Sequence, residues 1–149
     1  MQKIILILFF IFLYFPNYSY GKDENFRTLR YDVVNLRQGP GKDYPIKIFY
    51  KKKFLPVLII DSSDNFMKIR DHENNTGWIH VSQLSKKKAA IVSDDALIVF
   101  NKPSIYSTPT VILEKGRLLK IMKCKEHWCK IKVAEYKGWV KKIGLWGLF

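Results

Sequence analysis

The feature that most limits the fold of this chain is an approximate internal duplication with a period of about 60 residues. The segment TGWIHVSQL at 76–84 aligns with KGWVKKIGL at 137–145, an offset of 61 residues. Offsets of 62 and 63 relate NFMKI (65–69) to HWCKI (127–131) and FYKKKFLPVLI (49–59) to ILEKGRLLKIM (112–122). Changes in loop length between copies produce such a drift. The sequence therefore predicts two copies of one structural unit.

Each copy consists of short strand-type runs separated by turn residues. In FMKIR, Met67 and Ile69 alternate with Lys68 and Arg70, which is the period of a strand with one buried and one wet face. No apolar stripe of helical period follows residue 21. The pattern predicts an all-β fold.

The repeat also predicts the organisation of the chain into domains. We expect two tandem small barrels of about five short strands each, at residues 30–92 and 94–149. A linker at 93–95 is predicted to join them.

The N-terminus has the order of features found in secretory signal peptides. Lys3 precedes an unbroken apolar run at 4–15, and Pro16 and small or polar residues follow. This run is too short to span a bilayer, which takes about 20 residues. Residues 1–21 are therefore predicted to be a signal peptide removed after Gly21. The mature chain would then lie in the periplasm or an equivalent exported space with no membrane segment, and the alternative is an uncleaved helix that tethers it.

The chain is strongly basic, with 26 Lys and Arg against 13 Asp and Glu and a net charge of +13. Cleavage would remove only Lys3 among these residues and leave +12. Such a charge favours anionic partners, namely nucleic acid, phospholipid surfaces or cell-wall polymers, and export argues against nucleic acid. The alternative is that the charge reflects composition alone, because lysine outnumbers arginine 21 to 5.

The two cysteines, Cys124 and Cys129, flank the four residues KEHW. In an oxidising space two cysteines of a small domain usually pair, and this spacing suits a hairpin in which they face each other across two strands. Opposed residues have Cα atoms about 4.5–5.5 Å apart, a separation that a disulfide tolerates. A disulfide is the favoured prediction. The alternatives are a zinc site that adds His127 but has no fourth ligand, and a cysteine nucleophile with a histidine base but no orienting group.

Several motifs of both copies resemble a known family. VNLRQGPGKDYP at 34–45 precedes a lysine-rich turn, an apolar strand, an aromatic-led strand and a Gly-Trp-Ile hairpin, and the second copy keeps EKG, HWCKI and KGWV. Over residues 33–92 and 96–149 the chain resembles the bacterial SH3-like domain family. The resemblance implies a five-stranded, partly open barrel in each copy. It also implies a non-catalytic module that binds peptides, cell-wall material or partner proteins.

The resemblance further implies where a ligand groove lies. Phe66 and Trp128 stand where eukaryotic relatives place a groove tryptophan, and both are expected to be exposed because they share a strand face with lysines. The proline and tyrosine of the eukaryotic pattern are replaced by His80 and Gln83. Because a proline-rich segment docks between aromatic ridges, these replacements argue against its recognition.

The predicted ligand-binding residues are Tyr44, Phe66, Trp78 and Trp128, bordered by Lys42, Lys51, Lys52 and Lys53. Exposed aromatic rings among cations can stack on a sugar or peptide while the lysines attract its carboxylates. The alternative for Trp78 and Trp139 is that they pack in the barrel or at its edge. No catalytic residue, metal site or cofactor is predicted.

The sequence thus predicts a non-catalytic binding module of the cell envelope rather than an enzyme. The predicted partners are cell-wall peptide or glycan, or an envelope protein with an acidic face. Two alternatives stay open: a targeting or accessory subunit of a cell-wall hydrolase, and a structural spacer in an envelope assembly.

Overall fold

The computed structural model of the chain describes residues 25–148, so the predicted signal peptide at 1–21 lies outside the described residues. Within 25–148 there is no helix that is long and apolar enough to cross a lipid bilayer. The described residues form strands, turns and two short 3-10 helices.

The first half of the described chain forms seven strands and one 3-10 helix. They are β1 (Phe26–Leu29), β2 (Val34–Arg37), β3 (Ile46–Tyr50), β4 (Pro56–Ser63), β5 (Phe66–Arg70), β6 (Thr76–His80), the helix Val81–Gln83 and β7 (Leu84–Ser85). The second half repeats this series as β8 (Ala89–Val92), β9 (Ala96–Phe100), β10 (Pro109–Glu114), β11 (Leu118–Lys125), β12 (Trp128–Val133), β13 (Tyr136–Lys141), the helix Lys142–Gly144 and β14 (Leu145–Leu148).

Both sheets have the same topology. The strand order is β3-β2-β6-β5-β4-β1-β7 in the first and β10-β9-β13-β12-β11-β8-β14 in the second, and the pairings are antiparallel. The predicted all-β fold with two tandem units is confirmed. Each unit has seven strands rather than about five. In the first unit, β1 lies before the predicted start at residue 30, and β7 is only two residues long.

The turn before β4 and its counterpart before β11 share a left-handed backbone. Phe54 has a φ of 65° and Gly116 a φ of 81°. The N–H of Phe54 donates to the carbonyl of Leu29, and the N–H of Gly116 donates to that of Val92. The two turns are therefore equivalent at an offset of 62, and the predicted offset of 63 holds only before this turn.

The strand β8 is buried on both faces and contributes to both cores. Ala90 and Val92 lie in the core of the second barrel, whereas Ile91 between them lies in the core of the first. β8 pairs with β11 and β14, so it belongs to the second sheet, although the predicted limit at residue 92 places it in the first unit. The physical reason for this difference is that AAIV is apolar at every position and has no alternation to indicate its partner.

The last strand, β14, also packs against the first barrel. The ring of Trp146 lies edge-on to that of Phe26, with centroids 4.9 Å apart. Gly147 has a φ of 142°, and a Cβ there would lie 2.6 Å from the carbonyl oxygen of Ala89 and 3.0 Å from Cβ of Pro56. The absence of a side chain at Gly147 thus permits close contact between the barrels.

A buried carboxylate organises the loop between β5 and β6. Asp71 accepts hydrogen bonds from two backbone N–H groups of this loop at 2.9 and 2.8 Å, and from the side-chain amide of Asn75 at 2.9 Å. It also accepts one from the hydroxyl of Tyr50 at 2.8 Å. Burial, reinforced by this hydrogen bond, raises the pKa of Tyr50 well above its ordinary value, so the hydroxyl stays a donor.

The predicted disulfide between Cys124 and Cys129 is present. The two residues are directly opposed in the β11–β12 hairpin, with Cα atoms 4.0 Å apart. Cys129 is fully buried in the second core and Cys124 packs against that core. Because the two sulfurs are bonded to each other, neither the zinc site nor the nucleophile has a thiolate available.

Reduction of this disulfide should destabilise the second barrel more than the first. The cysteines are 5 residues apart, and closing so short a loop contributes about 2 kcal/mol in the chain-entropy model. Native-state hydrogen exchange with and without dithiothreitol should therefore show faster exchange in β11 and β12. Equal acceleration in β4 and β5, or none in β11 and β12, would contradict this prediction.

Substitution of Gly147 by alanine should destabilise the protein more than the same substitution at Gly116. Both positions have φ in the left-handed region, where a side chain costs about 1–2 kcal/mol. A Cβ at Gly116 meets nothing within 4 Å, so Gly116→Ala is a control for backbone strain alone. Gly147→Ala adds the collision with Ala89 and Pro56, about 1–3 kcal/mol more. Urea unfolding measures both variants, and equal losses would rule out close packing at Gly147.

Candidate functional site

Each barrel has a groove beside the loop that connects its second and third strands. The two loops have equal length and similar closure. Gln38 donates its N–H to the carbonyl of Pro45 at 3.0 Å, and Asn101 does so to Thr108 at 3.1 Å. Positions in the two loops therefore correspond at an offset of 63.

The other side of each groove is formed by a hairpin turn and the 3-10 helix. Val81 at the start of the first helix donates its N–H to Asn65, and Lys142 at the start of the second donates to His127, both at 2.9 Å. These bonds hold the first residue of β5 or β12 at the groove. Phe66 and Trp128, the two aromatic residues predicted for ligand binding, occupy this position.

The groove of the first barrel is small and polar, with a volume of about 190 Å³. Phe66 shares the outward face of the sheet with Lys68, as the alternation predicts. It lies directly opposite His80 in β6. The expectation that Phe66 is exposed is nevertheless wrong, since only 8% of it is accessible. The ring of His80 covers it edge-on at 5.1 Å, and Nδ1 of His80 is held 2.7 Å from the hydroxyl of Ser82.

The groove of the second barrel is larger and more apolar, with a volume of about 510 Å³. Trp128 is half-buried and its ring lies edge-on to Phe100, with centroids 5.6 Å apart. Ile105 and Ile143 also line the groove and are 53% and 87% exposed. An isoleucine left almost entirely in water beside a tryptophan marks a candidate contact surface.

The contrast between the grooves arises at three equivalent positions where a polar residue in the first barrel corresponds to an apolar residue in the second. The pairs are Arg37 and Phe100, Lys42 and Ile105, and Ser82 and Ile143. The backbone bonds that close the loop and join the 3-10 helix to the hairpin turn are equivalent in both copies, so the two grooves differ in their side chains.

The rim of the second groove is cationic. Lys141 lies directly across the β12–β13 pair from Trp128, and Lys142 and His127 line the same groove. Ser104 is the remaining lining residue, so no carboxylate of residues 25–148 lines the groove. The groove can therefore accept an apolar group against Trp128 and an anionic group at the lysines.

The structure does not bring the four predicted ligand-binding residues together. Tyr44 is 49% exposed, and its ring packs over Gly39 beside the first groove without lining it. Trp78 is half-buried on the outward face of β6, opposite Arg37 and Lys68.

Most of the remaining residues discussed for the predicted site do not line a groove. Trp139 is buried, with Nζ of Lys123 5.8 Å from its ring centroid, which fits the packing alternative. Lys53 contacts the ring of Phe54, while Lys42 alone among the predicted bordering lysines lines a groove. In residues 25–148 no group of three or more His, Cys, Asp or Glu side chains is placed to hold a metal ion.

The residues that sequence reasoning missed are Ile105, Ile143, Lys141 and Lys142 as lining residues of the second groove. For Ile143, the alignment of the two copies contained information that could have indicated a contact residue. In KKIGL an isoleucine replaces the serine of VSQL, and an apolar residue at an otherwise polar position needs a partner to cover it.

Comparison with curated proteins found no significant match. Among solved structures, NlpC2 from Trichomonas vaginalis matches with a TM-score of 0.37 at 15% identity, covering 82% of this chain and 47% of that one. NlpC1 from the same organism matches with a TM-score of 0.37 at 15% identity, covering 81% of this chain and 45% of that one. An NlpC/P60 family protein from Bacillus cereus matches with a TM-score of 0.36 at 11% identity, covering 81% of this chain and 55% of that one. The chain spans about half the length of these proteins.

The model of the bacterial SH3 domain matches two segments, residues 30–86 and 93–147. Each segment covers most of one barrel, including the loop, the hairpin and the 3-10 helix that form its groove. The chain therefore belongs to the bacterial SH3 domain family.

Proposed function

We propose that this protein is a non-catalytic binding module of the cell envelope and that the groove of the second barrel is its main contact surface. The observation that carries the proposal is the exposure of Ile143 next to Trp128 and Ile105 in a groove of about 510 Å³. A volume of this size is typical of ligand sites with an apolar floor and a few polar groups.

The chemistry of the groove favours a ligand with an apolar or sugar face and a nearby carboxylate. Trp128 offers a ring edge and part of a face for stacking, and Lys141 and Lys142 offer cations about one side chain away. Cell-wall peptide and glycan combine these features, and so does an acidic surface on an envelope protein. Cell-wall material is the first candidate because the family assignment and the disulfide are consistent with an exported protein.

Substitution of Ile143 by serine should weaken binding to purified cell wall without loss of stability. Because 87% of Ile143 is exposed, its removal leaves no cavity. We expect about tenfold weaker retention in a sedimentation assay, and a further loss with Trp128→Ala. Ile112→Ser is the matched control, since Ile112 is also exposed, at 63%, but lies on the edge strand β10 outside the groove.

Two outcomes would contradict this proposal. The first is unchanged retention of both Ile143→Ser and Trp128→Ala, provided that the melting temperatures are also unchanged. The second is equal loss with Ile112→Ser, which would indicate non-specific adhesion. If the protein captures an envelope protein instead of cell wall, and Ile143→Ser abolishes this capture, the groove is still the contact surface but its partner is a protein. Retention should also fall as salt rises, because exposed lysines are screened over about 10 Å at 0.1 M salt.

We also propose that the chain is exported after removal of residues 1–21. The support is the order of features at the N-terminus together with a disulfide that needs an oxidising space. N-terminal sequencing of the protein isolated from its host should begin at Lys22. A chain that begins at Met1 and partitions with membranes would instead support the tethering alternative.

A structural spacer is the second candidate function. It is favoured by β8, which contributes side chains to both cores and thereby packs the two barrels together. A spacer would tolerate Ile143→Ser in every assay but would lose function with Gly147→Ala, which disturbs the contact between the barrels. The two variants therefore separate the two functions.

A further inference from the structure

The first barrel has a second cleft, distinct from its groove, at the end formed by β1, β4, β5 and β7. The cleft has a volume of about 380 Å³. Ile59, Met67 and Leu84 form its apolar part, and Arg27, Arg30 and Lys86 are its cationic residues. Among residues 25–148, no acidic side chain lines it.

The same end of the second barrel is closed by small and covalently linked residues. Arg27 lies opposite Val57 in β4, and its counterpart Ala90 lies opposite Leu119 in β11. A buried alanine thus stands in the second barrel where the first has an arginine.

The disulfide completes this closure. Met67 corresponds to Cys129, because Ser62 and Met67 are opposed in β4–β5 as Cys124 and Cys129 are in β11–β12. Cys129 is fully buried, whereas Met67 and its neighbour Ile59 are only partly buried. The apolar interior of the first barrel is therefore accessible at this end.

The two arginines of the cleft are held in place by hydrogen bonds to backbone carbonyls. Nε of Arg30 donates to the carbonyl of Leu84 at 3.0 Å, and Nη1 of Arg27 donates to the carbonyl of Phe26 at 2.7 Å. Neither Arg30 nor Lys86 forms an ion pair with an acidic residue of the described chain. Two cations beside an apolar floor are complementary to an anion that carries a short apolar group.

We propose that this end of the first barrel is a binding site for a small amphiphilic anion, a carboxylate or phosphate attached to an apolar group. The apolar group lies against Ile59 and Met67, and the acid group binds Arg30 and Lys86. The site is specific to the first barrel because Ala90 and the disulfide close its equivalent in the second. It is independent of the groove at Trp128.

Methionine methyl groups provide an internal test of the site. Met67 lines the cleft, while Met122 is 50% exposed on the second barrel and serves as the control in the same spectrum. In the protein labelled at its methionine methyl groups, hexanoate or hexyl phosphate should shift the Met67 signal saturably and leave Met122 unchanged. The anion that binds more tightly shows whether the site prefers a carboxylate or a phosphate. Hexanol and inorganic phosphate, each with half of the required chemistry, should bind at least about tenfold more weakly.

Charge variants test the role of the cations. Arg30→Gln with Lys86→Gln should weaken hexyl anion binding at least about tenfold, whereas Arg117→Gln with Lys132→Gln, two exposed positions of the second barrel, should not. Lys86→Gln alone keeps the Arg30 bond to Leu84 and covers the case in which the double variant is unstable.

The proposal is overturned if Met67 does not respond to either anion up to about 10 mM, a limit that corresponds to very weak binding. It is equally overturned if hexanol binds as well as the anions, or if the two charge pairs have equal effects. Ile143→Ser should leave the Met67 titration unchanged, so failure of this site and failure of the groove are distinguished.

Discussion

The strand β8 is the constraint on which the rest of the structure depends. Its alternating side chains enter two different cores, with Ile91 in the first and Ala90 and Val92 in the second. A barrel of about 60 residues buries little surface and is marginal alone. Sharing one strand lets each barrel use apolar surface of the other, and the ring contact of Trp146 with Phe26 adds to this effect. The two units are thus stabilised as a pair, and their grooves keep a common frame.

The backbone bonds around the two grooves are equivalent, while the side chains that line the grooves differ. The loops have equal length, and the bond from the 3-10 helix to the hairpin turn is 2.9 Å in both copies. Ser82 in one copy corresponds to Ile143 in the other. His80 closes the first groove by covering Phe66, whereas Lys141 extends from the same position and leaves Trp128 accessible. The second groove is therefore open and partly apolar, and the first is small and polar.

The sequence alone permitted the fold and the disulfide to be predicted, because alternation and the repeat are local and the cysteine spacing defines a hairpin. It also placed Phe66 on the correct face. It did not reveal that Phe66 is buried, because burial on an outward face depends on the cross-strand neighbour His80 and on its bond to Ser82. The predicted end of the first unit at residue 92 includes β8, which pairs in the second sheet. The sequence does not reveal this pairing, because an entirely apolar strand shows no preferred face.

The two barrels fill the same end in different ways. The second fills one end with Ala90 and a disulfide and leaves its groove apolar. The first has Met67 and Arg27 at that end, and both side chains line the cleft. Closure by a covalent bond excludes ligand, whereas closure by flexible side chains can be displaced by one. An anion of the proposed kind, bound at Arg30 and Lys86, would cover the first core at this end as the disulfide covers the second.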